Sequence, residues 1–97
     1  MTARFFIDPA TEEPHIYGHG VVEGEVEDVL ARPMEDRAGR DDSRVALGQT
    51  AAGRYLRVIY VPDRTLNSVF VITAYELSDN TKRALRRRQR SSQRKKP

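Results

Sequence analysis

The sequence predicts an α+β domain: an antiparallel sheet of about four strands, one helix packed on it and a basic C-terminal helix, in the order β-α-β-β-β-α. Three observations carry this reading. Between residues 44 and 75, three apolar and β-branched runs follow one another at short spacing, separated by turn residues. One amphipathic stripe precedes them, over Val21 to Ala31. From Ser78 onward the chain trades apolar residues for arginine and lysine.

Arg4-Phe5-Phe6-Ile7 reads as a first strand stopped by Asp8-Pro9, because proline cannot donate to a ladder. Pro14 and Gly18-His19-Gly20 break any long helix over 10–20, which leaves a turn or one short helical piece. In the next helix Val22, Val26, Val29 and Leu30 recur at helical spacing, with Glu23 and Glu25 in the first turns, where the helix dipole favours negative charge. Pro33 ends it. Met34 to Asp42 reads as a polar loop. The three runs are 44–50, 54–61 and 68–75, and their short links imply an antiparallel meander. Tyr55 and Tyr60 read as packing residues. Ser78 or Asp79 can cap the last helix near Asn80, with Ala84 and Leu85 turned inward.

The chain has 97 residues, enough for a single domain over 1–85 with a basic tail over 86–97. A domain of this size buries only roughly 60% of its unfolded surface, so a homodimer or a partner chain would add stability. Cysteine is absent, which excludes disulfides and thiolate metal sites. No run approaches the roughly 18 apolar residues of a membrane span, and no signal-peptide pattern opens the chain, so a cytoplasmic location is expected. Charge is divided sharply. Residues 1–81 hold 8 Lys/Arg against 14 Asp/Glu, net −6, and residues 82–97 hold 9 Lys/Arg and no acid, net +9, together the overall +3. Such a tail suits nucleic acid or an acidic partner. Its far end is expected to fray when free.

Two ordered sets of residues resemble a known family. The first is Phe5-x-x-Asp8, His19-Gly20-Val21 and an acidic helix closing at Arg32-Pro33. The second is Arg44-x-x-x-Gly48-x-Thr50-x-x-Gly53-Arg54-x-Leu56, followed by Ile72-Thr73-Ala74. Over about residues 5–76 the chain is similar to the BrnT-like toxins of the RelE/ParE superfamily, or to a related small domain family of unassigned function. The resemblance implies a RelE-like fold and cleavage of RNA, ribosome-bound or free, without metal or cofactor. It also implies neutralisation by a cognate antitoxin, as a heterotetramer or smaller assembly. Tyr75-Glu76 follow Ala74 where those toxins usually carry arginine.

Metal-free RNA cleavage needs a base for the 2′-hydroxyl, an acid for the leaving 5′-oxygen and cations for the phosphorane. Histidine titrates near pH 6.5 and serves as acid or base without a shift. His19, between two glycines, is the first candidate, set against a structural role at the helix start; His15 is the second. A His15–His19 zinc pair would need a regular helix, which Pro14 and Gly18 oppose. Arg54 and Arg57 point to opposite faces of one strand, so only one can share a groove with a given neighbour. The resemblance favours Arg54. Tyr75, at the end of the last strand, is expected beside Arg83 of the basic helix. Arg44, Arg57, Lys82, Arg86, Arg87, Arg88 and Arg90 are the candidate phosphate contacts, in a basic run that continues to Arg94, Lys95 and Lys96. Three functions are expected to compete: a ribonuclease toxin, a non-catalytic nucleic-acid- or antitoxin-binding module, and a toxin relative that has lost activity.

Overall fold

The computed structural model describes residues 2–64 and 67–94. The order is β1 (Thr2–Phe5), β2 (Ile7–Asp8), β3 (Glu13–Pro14), a short 3-10 helix (His15–His19), α1 (Glu23–Ala31), β4 (Glu35–Ala38), β5 (Arg44–Gln49), β6 (Tyr55–Asp63), β7 (Ser68–Glu76) and α2 (Asp79–Arg94). Five strands make one sheet, ordered β1-β7-β6-β5-β4, and β2 pairs only with β3. The class is α+β, with two α-helices and the expected β5-β6-β7 meander.

Three expectations about the sheet are corrected. It has five strands, and it is mixed, because β1 runs parallel to β7. The first strand ends at Phe5 rather than at Asp8-Pro9. At Phe6 the chain leaves the sheet: its N–H donates to the carbonyl of Val71 and its own carbonyl accepts from His15. The segment read as a polar loop contains β4, an edge strand paired antiparallel with β5. Its sequence, Glu-Asp-Arg-Ala, has no buried residue and so carries no hydrophobic alternation. Charge on an exposed edge is a common protection against edge-to-edge pairing.

The sheet has two unlike faces. On one, Val26 and Val29 of α1, with Ile16 and Val21, pack on Leu56, Val58, Val71 and Ala74. Val22 is exposed at the head of α1 and Val21 is buried in its place. Gly48 lets α1 come close: a Cβ there would stand 3.1 Å from Cγ1 of Val29. On the opposite face Leu85 of α2 packs with Leu47, Tyr55 and Leu77. α2 covers only that end of the sheet. The rest of the face, around Arg57, Ile59, Ile72 and Tyr75, carries half-buried or exposed side chains. No helix among the described residues is long and apolar enough to cross a membrane.

Candidate nucleic-acid site on the open sheet face

Arg57 and Tyr75 are direct partners in the β6–β7 ladder, so both side chains leave the sheet on its open face. The Arg57 guanidinium carbon lies 5.9 Å from the centre of the Tyr75 ring. Its Nε is buried and has no hydrogen-bond partner among the described residues. A half-buried guanidinium without a carboxylate costs free energy unless an anion completes it.

The 3-10 helix extends this pair into a row. Ile16 is buried beneath it and ties it to the core. Pro14 opens it at φ −51°, and Gly20 closes it at φ 71°, a left-handed conformation that favours glycine. His19 therefore stands at the margin of β7, its ring 5.9 Å from that of Tyr75. His15 lies edge-on to His19 at 5.2 Å and is backed by Phe6 at 6.0 Å. The Asp8 carboxylate is 3.5 Å from Nδ1 of His15. That places a carboxylate beside one edge of the His15 ring. The result is a continuous line, Asp8, His15, His19, Tyr75, Arg57. It holds two imidazoles, a phenol and a cation with no acidic partner among the described residues.

Arg54 is not in this line. Its guanidinium donates to Glu25 at 3.0 Å, to Glu76 at 2.9 Å and to the carbonyl of Gly20 at 2.8 Å. It thus binds α1, β7 and the end of the 3-10 helix together, and the two carboxylates push its pKa up. The Glu25 carboxylate also accepts from the Val22 N–H, capping α1. Arg44 is likewise engaged, pairing with Asp36 across β4 and β5 at 2.8 Å. Tyr60 donates to the same carboxylate, and burial together with that bond pushes its pKa up to about 12.

The basic helix divides its cations between docking and solvent. Arg88 donates to both oxygens of Glu35 at 2.6 and 2.9 Å, and Gln89 donates to the carbonyl of Met34. Lys82 and Arg86 lie over the Tyr55 ring at 5.6 and 5.1 Å. Arg83, expected beside Tyr75, donates instead to Asn80, and the cation at Tyr75 is Arg57. Arg83, Arg87 and Arg90 are exposed and have no acidic partner among the described residues. Lys95 and Lys96, with the fraying expected there, lie outside the described residues.

The structure therefore gathers His15, His19, Tyr75 and Arg57, and leaves Arg54, Arg44 and Arg88 in structural ion pairs. Sequence reasoning passed over Asp8 as a histidine partner and ranked Arg57 below Arg54. The F-x-x-D spacing was visible, but its carboxylate meets His15 only because β2 and β3 pair Asp8 with Glu13. Among the described residues no three His, Asp or Glu side chains gather as metal ligands would. Compared with family models, curated proteins and solved structures, the chain matches none.

Proposed function

We propose that the chain is a metal-independent ribonuclease of the RelE-like toxin kind, acting on RNA in the cytoplasm and held in check by an antitoxin. The observation that carries this reading is the line His15, His19, Tyr75, Arg57 on an uncovered sheet face. In the proposed reaction His19, the exposed imidazole, takes the proton of a 2′-hydroxyl. The 2′-oxygen attacks phosphorus, and the bond to the 5′-oxygen breaks. His15, beside Asp8, returns a proton to that leaving oxygen. A 2′,3′-cyclic phosphate and a 5′-hydroxyl result, with no net change in protons. Arg57, beyond Tyr75 in the row, holds the phosphate of the adjoining nucleotide. Tyr75 donates its hydroxyl or stacks on a base. Arg83, Arg87 and Arg90 hold the RNA backbone along α2.

A non-catalytic RNA-binding module is the second reading. It is favoured by Arg83, Arg87 and Arg90 of α2, which have no acidic partner among the described residues whatever the histidines do. Labelled RNA, free and on translating ribosomes, is incubated with the protein in EDTA beside His19→Ala. Cleavage leaving cyclic phosphate ends, lost in the variant, is the expected result. Intact RNA in both settings, with binding retained, would establish the module instead.

A further inference from the structure

We propose that the open face holds a nucleotide subsite beside the histidine row, with Arg57 and Thr73 taking the phosphate and an apolar groove over Val45, Ile59 and Ile72 taking the base. The inference rests on reading this face as an RNA site.

Buried polar side-chain atoms without a partner are rare in folded proteins, and each calls for an explanation. Among the described residues they are Arg57 Nε, Ser68 Oγ and Thr73 Oγ1. Two of the three belong to side chains on the open face of the sheet, on adjacent strands. Thr73 is opposite Ile59, and Tyr75 is opposite Arg57, in adjacent same-face positions of β6 and β7. Both unpartnered atoms are hydrogen-bond donors, one of them charged. Both atoms are covered in this structure, so a phosphate meets them by drawing the two side chains outward; its oxygens then satisfy both, which neither a cation nor an apolar ligand can do.

The adjoining groove fits what is attached to that phosphate. The register passes from Ile59–Thr73 to Tyr60–Val71, so Ile72 is the extra residue of a β-bulge. Bulges re-aim side chains, and they recur next to functional sites. Here Ile72 is turned out, 36% exposed, into a groove with Val45 and Ile59. The groove measures about 590 Å³, enough for a base and its ribose, and Arg40, Asp41 and Ser43 of the β4–β5 hairpin form its rim. Aliphatic walls receive the face of an unstacked base, and the rim offers acceptors and donors to its edge. The occupant is therefore one nucleotide of single-stranded RNA, with its base splayed out of the stack.

The test titrates the full chain with inorganic phosphate and with the four ribonucleoside 3′-monophosphates, followed by 15N NMR including the arginine Nε–Hε signals. At least one nucleotide is expected to bind about tenfold or more tightly than phosphate and to shift the Arg57 Nε–Hε and Thr73 signals. Thr73→Val should weaken phosphate and nucleotide alike by about tenfold, and Thr73→Ser should restore both. Ile72→Asn, polar but uncharged, should weaken the nucleotide to the level of phosphate and leave phosphate unchanged. The proposal is overturned if nucleotides bind no better than phosphate, if Thr73→Ser binds as poorly as Thr73→Val, or if an acidic peptide displaces the nucleotides from every shifted signal. The ligands are not cleavable, so a chain that cuts no RNA can still pass. A chain that cuts RNA through His19 but binds no nucleotide here fails only this inference.

Discussion

His19 and Tyr75 meet with their ring centres 5.9 Å apart and their planes at 55°, although one closes a 3-10 helix near the start of the chain and the other is the next-to-last residue of the last strand. The contact places an imidazole above the phenol that Arg57 flanks from the other side. A general acid or base contributes about 10²–10⁴-fold to rate, so His19→Ala should lower cleavage by at least about 100-fold. Tyr75→Phe, which keeps the ring, should cost about tenfold, the size of one lost hydrogen bond to a charged group. Both variants should keep the wild-type melting temperature, since His19 is exposed and Tyr75 half-buried. Unchanged cleavage in His19→Ala would remove it from the chemistry.

Arg54→Ala should behave in the opposite way. Its guanidinium joins Glu25, Glu76 and the Gly20 carbonyl, and removal leaves Glu25, 23% exposed, without its cation. Hydrogen bonds to charged groups contribute about 2 kcal/mol, which for a chain of this size lowers Tm by roughly 10 °C. Arg54→Lys should recover little of this, because an ammonium lacks the planar fork that spans two carboxylates. Cleavage per folded molecule should persist below the melting transition. Loss of cleavage with an unchanged Tm would return Arg54 to the site.

The contrast between Arg54 and Arg57 shows where sequence reading stops. Alternation along a strand predicted that the two point to opposite faces, and they do. Which face stays open depends on where α1 packs and how far α2 reaches, and no spacing within residues 54–57 encodes either. The meander was legible because Val, Ile, Leu and Tyr crowd 44–50, 54–61 and 68–75. β4 was not, because its side chains face solvent. The parallel pairing of β1 with β7 joins the first strand of the chain to the last and leaves no local signal. Phe5-x-x-Asp8 and His19-Gly20 were visible as isolated pieces, but the line they form needs the β2–β3 pairing and the 3-10 turn.

Arg88 and Glu35 make stability depend on acid pH. The hydrogen bond from Arg88 holds the Glu35 carboxyl below its ordinary value of 4.5. A carboxyl depressed in the fold contributes stability that is present above that unfolded value and is lost as pH falls through the folded one. Wild type should therefore melt above Arg88→Gln at pH 7, and the two curves should converge as pH drops below about 4. A gap that stayed constant down to pH 3 would mean that the Arg88 stem, and not its charge, docks α2.

Tyr60 gives the alkaline counterpart. Burial first, then the bond to Asp36, raise its phenol from 10.0 to about 12. A raised folded pKa gives stability that is complete below the unfolded value and is lost as pH climbs through the folded one, here between about 10 and 12. In a spectrophotometric titration Tyr60→Phe should remove the last phenol to ionise. Asp36→Asn should bring that step to lower pH, because the neutral amide no longer opposes the phenolate. A last step unaffected by either change would place the buried phenol elsewhere.

Salt dependence separates the two roles of α2. Binding of a single strand loses about 0.7 in the slope of log K against log salt for each phosphate neutralised. Arg83, Arg87 and Arg90 are exposed and have no acidic partner among the described residues, so replacing all three with glutamine should flatten that slope by about 2. Affinity should fall by a similar factor for every RNA sequence, since phosphate contacts carry no base preference. Arg88→Gln should change the slope far less, because its charge is already neutralised by Glu35 at 2.6 Å. It should act instead on the melting temperature. Fluorescence anisotropy of a labelled single-stranded RNA between 50 and 300 mM salt, roughly the range in which counterion release is resolved, measures both slopes. Equal slopes in the triple variant and the wild type would show that RNA does not track along α2, and would leave the open sheet face as its whole binding surface.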